Sequence, residues 1–73
     1  MKWMKNDDNS YRFESPAIEA TIYWDNGGWI IKIISANEKV LTPQSKSLEQ
    51  VKKYAENAIR IIITETLQAI DDF

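Results

Sequence analysis

The stretch IYWDNGGWII (residues 22–31) decides the fold, because two segments rich in aromatic and β-branched residues flank a short polar centre. At that centre Asn26-Gly27 is a strong hairpin signal, since a two-residue type I′ turn needs positive φ at both of its residues. A loop of these two residues sets Trp24 opposite Trp29. The stretch therefore predicts two antiparallel strands whose pairing is fixed by the turn.

Extending this pairing outward to Glu19 and Ile34 gives the hairpin two faces of different chemistry. One face is apolar and carries Ala20, Ile22, Trp24, Trp29, Ile31 and Ile33. The other is mixed and carries Glu19, Thr21, Tyr23, Ile30, Lys32 and Ile34. Because a slip by one residue would mix the two sets, the pattern supports this register.

Shorter strands are predicted on both sides of the hairpin. Residues 11–15 alternate between apolar and polar side chains, and residues 2–5, before the turn-forming run of residues 6–10, also alternate and could form a short first strand. Residues 40–42 form a further short strand, which Pro43 ends because proline has no N–H to donate to a neighbouring strand. The sequence thus predicts an antiparallel sheet of three to four strands.

The second half of the chain predicts one long helix. Apolar or small residues recur there at spacings of three and four, on one stripe: Leu48, Val51, Ala55, Ala58, Ile62, Thr66 and Ala69. Ser47 and Gln50 have the spacing of a capping box, which indicates the helix start. The β-branched run at residues 59–64 could instead form a strand. No glycine, proline or turn residue precedes it, so we expect the helix to continue to about Ile70.

These elements predict an α+β fold: an antiparallel sheet with one long C-terminal helix packed on one face, as a single domain over residues 1–73. The expected core is Ile22, Trp24, Trp29, Ile31, Ile33, Leu48, Val51 and Ala55. The helix would be about 35 Å long, whereas strands of five to seven residues cover only about 17–24 Å. Its far end is therefore expected to overhang the sheet or to pack on something else.

Composition excludes several classes of function. The 73 residues include no cysteine and no histidine, which removes the commonest zinc ligands, the commonest general base and the thiol nucleophile. Asp7 and Asp8 lack the glycine and distal glutamate of a calcium loop, so they indicate a solvated turn. We expect no metal, no cofactor and no catalysis. No apolar run approaches the ~20 residues of a membrane span, and residues 1–10 lack a signal-peptide core, which predicts a soluble, cytoplasmic protein.

One candidate contact surface is the mixed face of the hairpin. A single helix covers only one face of a small sheet, so exposed aromatic and aliphatic side chains on the other face indicate a surface that a partner covers. We predict a protein-binding site there, formed by Tyr23, Ile30, Lys32 and Ile34. Ordinary sheet surface, covered in part by the N-terminal strand, is the alternative.

The other candidate is the far half of the helix, which is apolar nearly all round and therefore needs burial on more than one side. We predict a homodimer contact there, formed by Ile59, Ile61, Ile63 and Leu67. The alternative is a small additional core in which the helix end packs with Trp3 and Phe73.

Net charge bears on the class of partner. Nine basic and eleven acidic side chains give a net charge of −2, whereas nucleic-acid binding draws much of its affinity from Lys and Arg that neutralise phosphates. A protein partner is therefore the first hypothesis. The second is a nucleic-acid-binding accessory domain that uses Lys5, Arg12, Lys32 and Lys39. No membrane partner is expected.

The runs GGWIIKI (residues 27–33) and SLEQVKKYAENAI (residues 47–59) resemble small phage- and mobile-element-encoded domains. Those domains combine an antiparallel sheet with one helix that opens on a Ser-Leu-Glu motif. From residue 18 to about residue 58 the outline is also similar to the arm-type DNA-binding domains of tyrosine integrases, whose three-stranded sheets carry several basic residues on the exposed face. Here that face has Lys32 beside Glu19. The resemblance thus implies an inhibitor or adaptor of the anti-restriction or anti-CRISPR class, acting on a host protein complex.

Overall fold

A computed structural model describes the backbone of residues 2–71 and the side chains of residues 2–65. Five strands precede one helix: β1 (Met4–Lys5), β2 (Tyr11–Glu14), β3 (Glu19–Asp25), β4 (Gly28–Ile34), β5 (Glu38–Leu41) and α1 (Leu48–Asp71). The strands form one antiparallel sheet in sequence order. The predicted α+β fold is confirmed. The sheet exceeds the predicted three to four strands because the two-residue segment β1 also pairs with β2.

The β3–β4 hairpin has the predicted register. Pairing runs without interruption from Glu19 opposite Ile34 up to the turn. Asn26 and Gly27 connect the strands with φ values of 53° and 81°, the positive values that this kind of two-residue turn requires. The turn therefore sets which side chains of both strands point toward the helix.

Helix α1 lies across β3 and β4, and the core is the layer between them. The buried apolar side chains are Ile18, Ala20, Ile22, Ile31, Ile33, Val51, Ala55 and Ile59. Among the predicted core residues, those confirmed are Ile22, Ile31, Ile33, Val51 and Ala55. Leu48 and Trp29 are half-buried at the margin of the core. Burying one isoleucine side chain contributes about 1.5–3 kcal/mol, so this thin layer is the main source of stability.

The prediction that Trp24 belongs to the core is wrong, since its side chain is 51% exposed. Trp24 lies on the helix side of the sheet but beyond Ile22, the last β3 residue that pairs with β2. The indole of Trp29 is held by the loop before the helix, because Nε1 donates to the Lys46 carbonyl at 3.3 Å. Trp24 packs edge-on against Trp29, with 5.2 Å between ring centroids, and its remaining surface meets solvent.

The helix begins after Ser47, as predicted, but its start differs from a capping box. The Ser47 carbonyl accepts the Val51 N–H at 3.0 Å. The Ser47 N–H donates to the Ser45 hydroxyl at 3.1 Å, and that hydroxyl donates to Oε1 of Gln50 at 2.7 Å. In a capping box the Gln50 side chain would accept the Ser47 N–H. Here the Ser45 hydroxyl accepts that N–H instead, so Gln50 is linked to the helix start only through Ser45.

Residues 59–64 continue the helix, so the strand alternative for this segment is wrong. Ile59 is fully buried, but Ile61 is 58% and Ile63 is 44% exposed. The helix of 24 residues spans about 36 Å, whereas the seven-residue strands β3 and β4 span about 23 Å. It therefore overhangs the sheet. Among the described residues, no helix has both the length and the apolarity that crossing a membrane requires.

The positive φ of Gly27 predicts an effect of mutation that the neighbouring glycine lacks. A Cβ added at Gly27 or Gly28 meets nothing within 4 Å, so the two sites differ in backbone conformation alone. A left-handed L-residue costs roughly 1–2 kcal/mol. In urea unfolding we expect Gly27→Ala to lose about 1 kcal/mol of unfolding free energy and Gly28→Ala to lose almost none. Equal losses would contradict the structural role of the turn.

Burial predicts that two isoleucines of the same helix differ sharply in their contribution to stability. Ile59→Ala should leave a cavity in the core and lower the free energy of unfolding by about 2–5 kcal/mol. Ile63→Ala removes the same atoms from a side chain in contact with solvent, and should change the free energy of unfolding by less than about 0.5 kcal/mol. Urea unfolding followed by far-UV circular dichroism measures both. A large loss for Ile63→Ala would mean that the helix end is packed within one copy of the chain.

Candidate protein-binding surface

The face of the sheet that points away from α1, the outer face, has no helix or strand packed on it within the described part of the chain. Cross-strand pairing aligns one row of side chains across all five strands: Met4, Arg12, Thr21, Lys32 and Val40. A second row, toward the β3–β4 turn, contains Tyr23 and Ile30. A third row lies at the other end of the strands: Glu14, Glu19, Ile34 and Glu38. The outer face thus mixes aliphatic, aromatic and charged side chains.

The four predicted partner-binding residues all lie on the outer face. Tyr23 and Ile30 are direct cross-strand neighbours, and Lys32 and Ile34 follow at alternate positions of β4. Ile34 is exposed and the other three are half-buried. The structure brings these side chains together on one surface, while their role in binding stays a prediction.

Two further apolar side chains of the outer face, Met4 and Val40, are not singled out by the sequence. They lie on the edge strands, where pairing brings them beside Arg12 and Lys32. Strands of two and four residues show too little alternation to indicate which way a side chain points. Their place on the outer face follows only from their registers with β2 and β4.

Both cations of the outer face form ion pairs on that same face. Arg12 lies 3.6 Å from Glu14, and Lys32 lies 3.3 Å from Glu38. These side chains are 41–55% exposed, so each pair contributes only about 0–1 kcal/mol to stability. Glu19 lies directly opposite Glu14, so two like charges are cross-strand neighbours. The outer face therefore carries an excess of negative charge.

The four cations proposed for nucleic-acid binding do not converge on one surface. Arg12 and Lys32 point to the outer face. Lys5 lies opposite Tyr11, and Lys39 lies opposite the buried Ile33, so both lysines point to the helix side of the sheet. Of the four, a nucleic-acid backbone on the outer face would therefore meet Arg12 and Lys32, which are already paired with carboxylates.

The turn between β1 and β2 borders the outer face and is organised around Ser10, which is buried. The Asn6 side-chain amide donates to the Ser10 hydroxyl oxygen at 2.8 Å. Asp8 accepts hydrogen bonds from the Ser10 hydroxyl and from the Ser10 N–H, and these bonds hold the pKa of Asp8 below its ordinary value. Within the described residues, no group of three or more His, Cys, Asp or Glu could hold a metal ion.

An open cleft of about 530 Å³ lies beside this turn. Its lining combines the turn at Asp8 with Tyr23 and Lys32 of the outer face and with Trp24 and Trp29 of the hairpin tip. The cleft thus joins the exposed Trp24 to Tyr23 and Lys32, two of the four predicted partner-binding residues.

The structure separates the residues of the predicted dimer contact. Ile59 is fully buried in the core of a single copy, so its assignment to a dimer contact is wrong. Ile61 and Ile63 are exposed, but residues two positions apart on a helix point about 200° apart. One partner helix therefore cannot contact both. Leu67 lies outside the described side chains.

The alternative prediction packed the helix end against Trp3 and Phe73. Trp3 packs against Phe13 of β2, with 6.0 Å between ring centroids. It also lines a groove with Glu49 and Lys52, near the start of the helix rather than its end. Phe73 lies outside the described residues. The described part of the overhanging helix is therefore not covered by Trp3.

Comparisons of the chain with family models, with curated proteins and with solved structures find no match. The resemblance to phage-encoded inhibitors and to integrase arm domains therefore stays a prediction. The outer face, with its uncovered apolar side chains and its paired cations, is the feature from which we infer a function.

The lowered pKa of Asp8 makes part of the stability pH-dependent. Because folding favours the charged carboxylate, this contribution is fully present above the ordinary value of 3.8 and is lost as the pH falls through the lower folded pKa. Asp8→Asn should lower the melting temperature at about pH 6. The difference in melting temperature between variant and wild type should shrink below about pH 4. Asp7→Asn controls for the loss of one charge from the same turn. A constant difference down to about pH 2 would contradict this role of Asp8.

Proposed function

We propose that this protein is a non-catalytic protein-binding module, an inhibitor or adaptor that acts on a cytoplasmic partner through its outer face. The observation that carries the proposal is the uncovered aliphatic surface on that face. Met4 is 47%, Ile34 41% and Val40 56% exposed. Scattered exposed aliphatic side chains are ordinary, and Met4 stands apart on β1, but Ile34 and Val40 are diagonal neighbours on β4 and β5, and adjoining exposed aliphatic side chains are typical of a surface that another molecule covers.

Trp24 supports the proposal, because it has the properties of an interface anchor. It is half exposed, it is backed by Trp29, and it borders the cleft that Tyr23 and Lys32 also line. Tryptophan and tyrosine are enriched among the few residues that dominate the energy of protein interfaces. The binding surface in this proposal therefore extends from the four residues predicted from the sequence to the tip of the hairpin.

The size of the outer face bears on the kind of complex. The five strands contain 24 residues in all, and at about 3.3 Å per residue with about 4.8 Å between strands they give a face of roughly 400 Å². A stable interface of standard size buries about 800 Å² on each partner. The sheet alone thus fits a transient complex. A tighter complex would also need contacts from the turn at Asp8 and from the hairpin tip at Trp24.

The charges of the outer face favour a partner with a basic surface. Arg12 and Lys32 are already paired with carboxylates, whereas Glu19 and Asp25 have no ion pair among the described residues. A lysine or arginine of the partner would therefore meet an unpaired carboxylate, and complementary charge both speeds association and discriminates against wrong partners. The same carboxylates would repel a phosphate backbone.

We expect the double substitution Tyr23→Thr with Ile30→Thr to abolish partner binding without unfolding the chain, because threonine keeps the strand propensity and removes the apolar contact. Ile63→Thr removes a similar aliphatic group from the helix and is the matched control. Immobilised wild type, double variant and control are each exposed to a bacterial lysate, and the retained proteins are identified by mass spectrometry. Proteins that only the double variant loses are partners of the outer face.

Two outcomes would contradict the proposal. One is that the double variant, shown to be folded by circular dichroism, retains the same proteins as the wild type and Ile63→Thr. The other comes from titration with duplex DNA at two salt concentrations. Binding that weakens steeply with salt, and that depends on Arg12 and Lys32, would favour the nucleic-acid-binding alternative.

A further inference from the structure

The Asn-Gly turn that fixes the hairpin is also a chemically reactive pair. The main-chain nitrogen after an asparagine can attack Cγ of its side chain, and glycine hinders this attack least because it has no side chain. A Cβ added at Gly27 would meet nothing within 4 Å. Asn26 is exposed, and neither its side chain nor the Gly27 N–H makes a hydrogen bond within the described part of the chain. The nucleophile and the group that it attacks are therefore both available.

Asn9 provides a comparison inside the same molecule. It is exposed and left-handed like Asn26, with φ values of 65° and 53°. Ser10 follows it, however, and the Ser10 N–H donates to Oδ1 of Asp8 at 3.1 Å. The Ser10 side chain is itself buried. The nitrogen that would attack Asn9 is thus held in a hydrogen bond, so a left-handed backbone alone does not make an asparagine reactive.

The other three asparagines of the sequence also differ from Asn26. Asn57 lies inside α1, where the N–H of the next residue belongs to the helix. Asn6 is half-buried, and its side-chain amide donates a hydrogen bond within the β1–β2 turn. Asn37 is exposed, but Glu38 follows it and begins β5, so the attacking nitrogen there would carry a long side chain in a paired strand. Asn26 is therefore the asparagine with the least protection.

We infer that Asn26 is a site of spontaneous deamidation, and that the contact between Trp24 and Trp29 controls its rate. In this reaction the Gly27 nitrogen loses its proton to water and bonds to Cγ of Asn26, and the side-chain nitrogen leaves as ammonia. Water then opens the resulting succinimide ring at either carbonyl. One product is aspartate, and the other is isoaspartate, in which the main chain runs through Cβ. The net reaction consumes one water and releases one ammonia.

The closed turn opposes the reaction, so the hairpin tip has to open first. In a type I′ turn the first loop residue has ψ of roughly +30°. At that angle the Gly27 nitrogen points away from Cβ of Asn26, and the ring cannot close. Rotation about ψ brings the nitrogen to Cγ, but it disrupts the pairing of Asp25 with Gly28 that the turn connects. The rate of deamidation therefore follows the fraction of time for which the tip is open.

The tryptophan pair is the contact that keeps the tip closed. Trp24 packs edge-on against Trp29, with 5.2 Å between ring centroids. Trp29 is anchored in turn, because its Nε1 donates to the Lys46 carbonyl. The pairing with β2 ends at Ile22 and does not reach the tip. An aromatic pair of this kind shifts an opening equilibrium by about two- to tenfold.

The two products differ in their effect on the hairpin. Aspartate keeps the length of the main chain, and Asp-Gly suits a type I′ turn as Asn-Gly does. Isoaspartate adds one main-chain atom inside the two-residue loop that sets the register of β3 and β4. The isoaspartate form thus loses the turn geometry on which the sheet depends. This inference does not rest on the proposed function, since it concerns the covalent chemistry of the turn.

Ageing the folded wild type at mildly alkaline pH and body temperature tests the site. Peptide mapping by mass spectrometry, with fragmentation that distinguishes isoaspartate from aspartate, follows each asparagine separately. We expect both products at position 26 and no detectable conversion at position 9 over the same period. Asn26→Ser should remove the signal. An Asn26 that stays intact, or an Asn9 that converts as fast, would overturn the inference.

Trp24→Thr and Ile63→Thr form a matched pair of variants that tests the control of the rate. Both remove an exposed apolar side chain, but only the first loosens the hairpin tip. Once circular dichroism has shown that each is folded, Trp24→Thr should deamidate about two- to tenfold faster than the wild type, and Ile63→Thr at the wild-type rate. Trp24→Phe, which keeps an aromatic ring beside Trp29, should fall between wild type and Trp24→Thr.

A capped peptide of residues 25–28 gives the rate of the turn sequence without the fold. It should deamidate faster than the folded wild type, because nothing holds ψ of Asn26 at its turn value. A folded wild type as fast as the peptide, or equal rates in the wild type and Trp24→Thr, would show that the closed tip does not control the reaction.

Discussion

The rest of the structure depends on the two-residue turn at Asn26-Gly27. Side chains alternate across a strand, so a shift of one residue between β3 and β4 would exchange the two faces of the sheet. The observed register sends Ile22, Ile31 and Ile33 to the helix. Paired residues of neighbouring strands point to the same side of the sheet, which brings Tyr11 of β2 and Leu41 of β5 to the margin of the core. The chemistry of the outer face is therefore a consequence of the same turn, because the side chains that alternate with the core residues along β3 and β4 are placed there.

A mismatch in length determines which apolar side chains the core leaves exposed. The helix is longer than the strands it covers, so the packed layer ends before the helix does, and Ile61 and Ile63 emerge beyond Ile59. At the other end the pairing with β2 ends at Ile22, so no β2 residue pairs beside Trp24, which packs against Trp29. Both ends of the molecule thus expose large apolar residues for a geometric reason, although residues of the same type only one or two positions away are buried.

Local patterns in the sequence predict the hairpin register, the helix and the centre of the core, because those features depend on neighbours along the chain. Features that depend on where an element stops are not predictable in this way. Trp24 alternates along β3 in step with the core residues, but it is exposed because β2 does not extend far enough to lie beside it. Ile59 and Ile63 look alike in a run of isoleucines, and only the position of the sheet decides which one is buried. Met4 and Val40 are placed on the outer face by registers with other strands. The candidate site is therefore only partly predictable: its centre follows from the hairpin, and its edges follow from the assembled sheet.

A chain of 73 residues buries only about 60% of the surface that its unfolded form exposes, so some apolar surface has to remain uncovered in a single copy. Among the described residues it lies on the outer face, at the hairpin tip with Trp24, and on the sides of the helix that the sheet does not cover. A single face of roughly 400 Å² fits a transient complex.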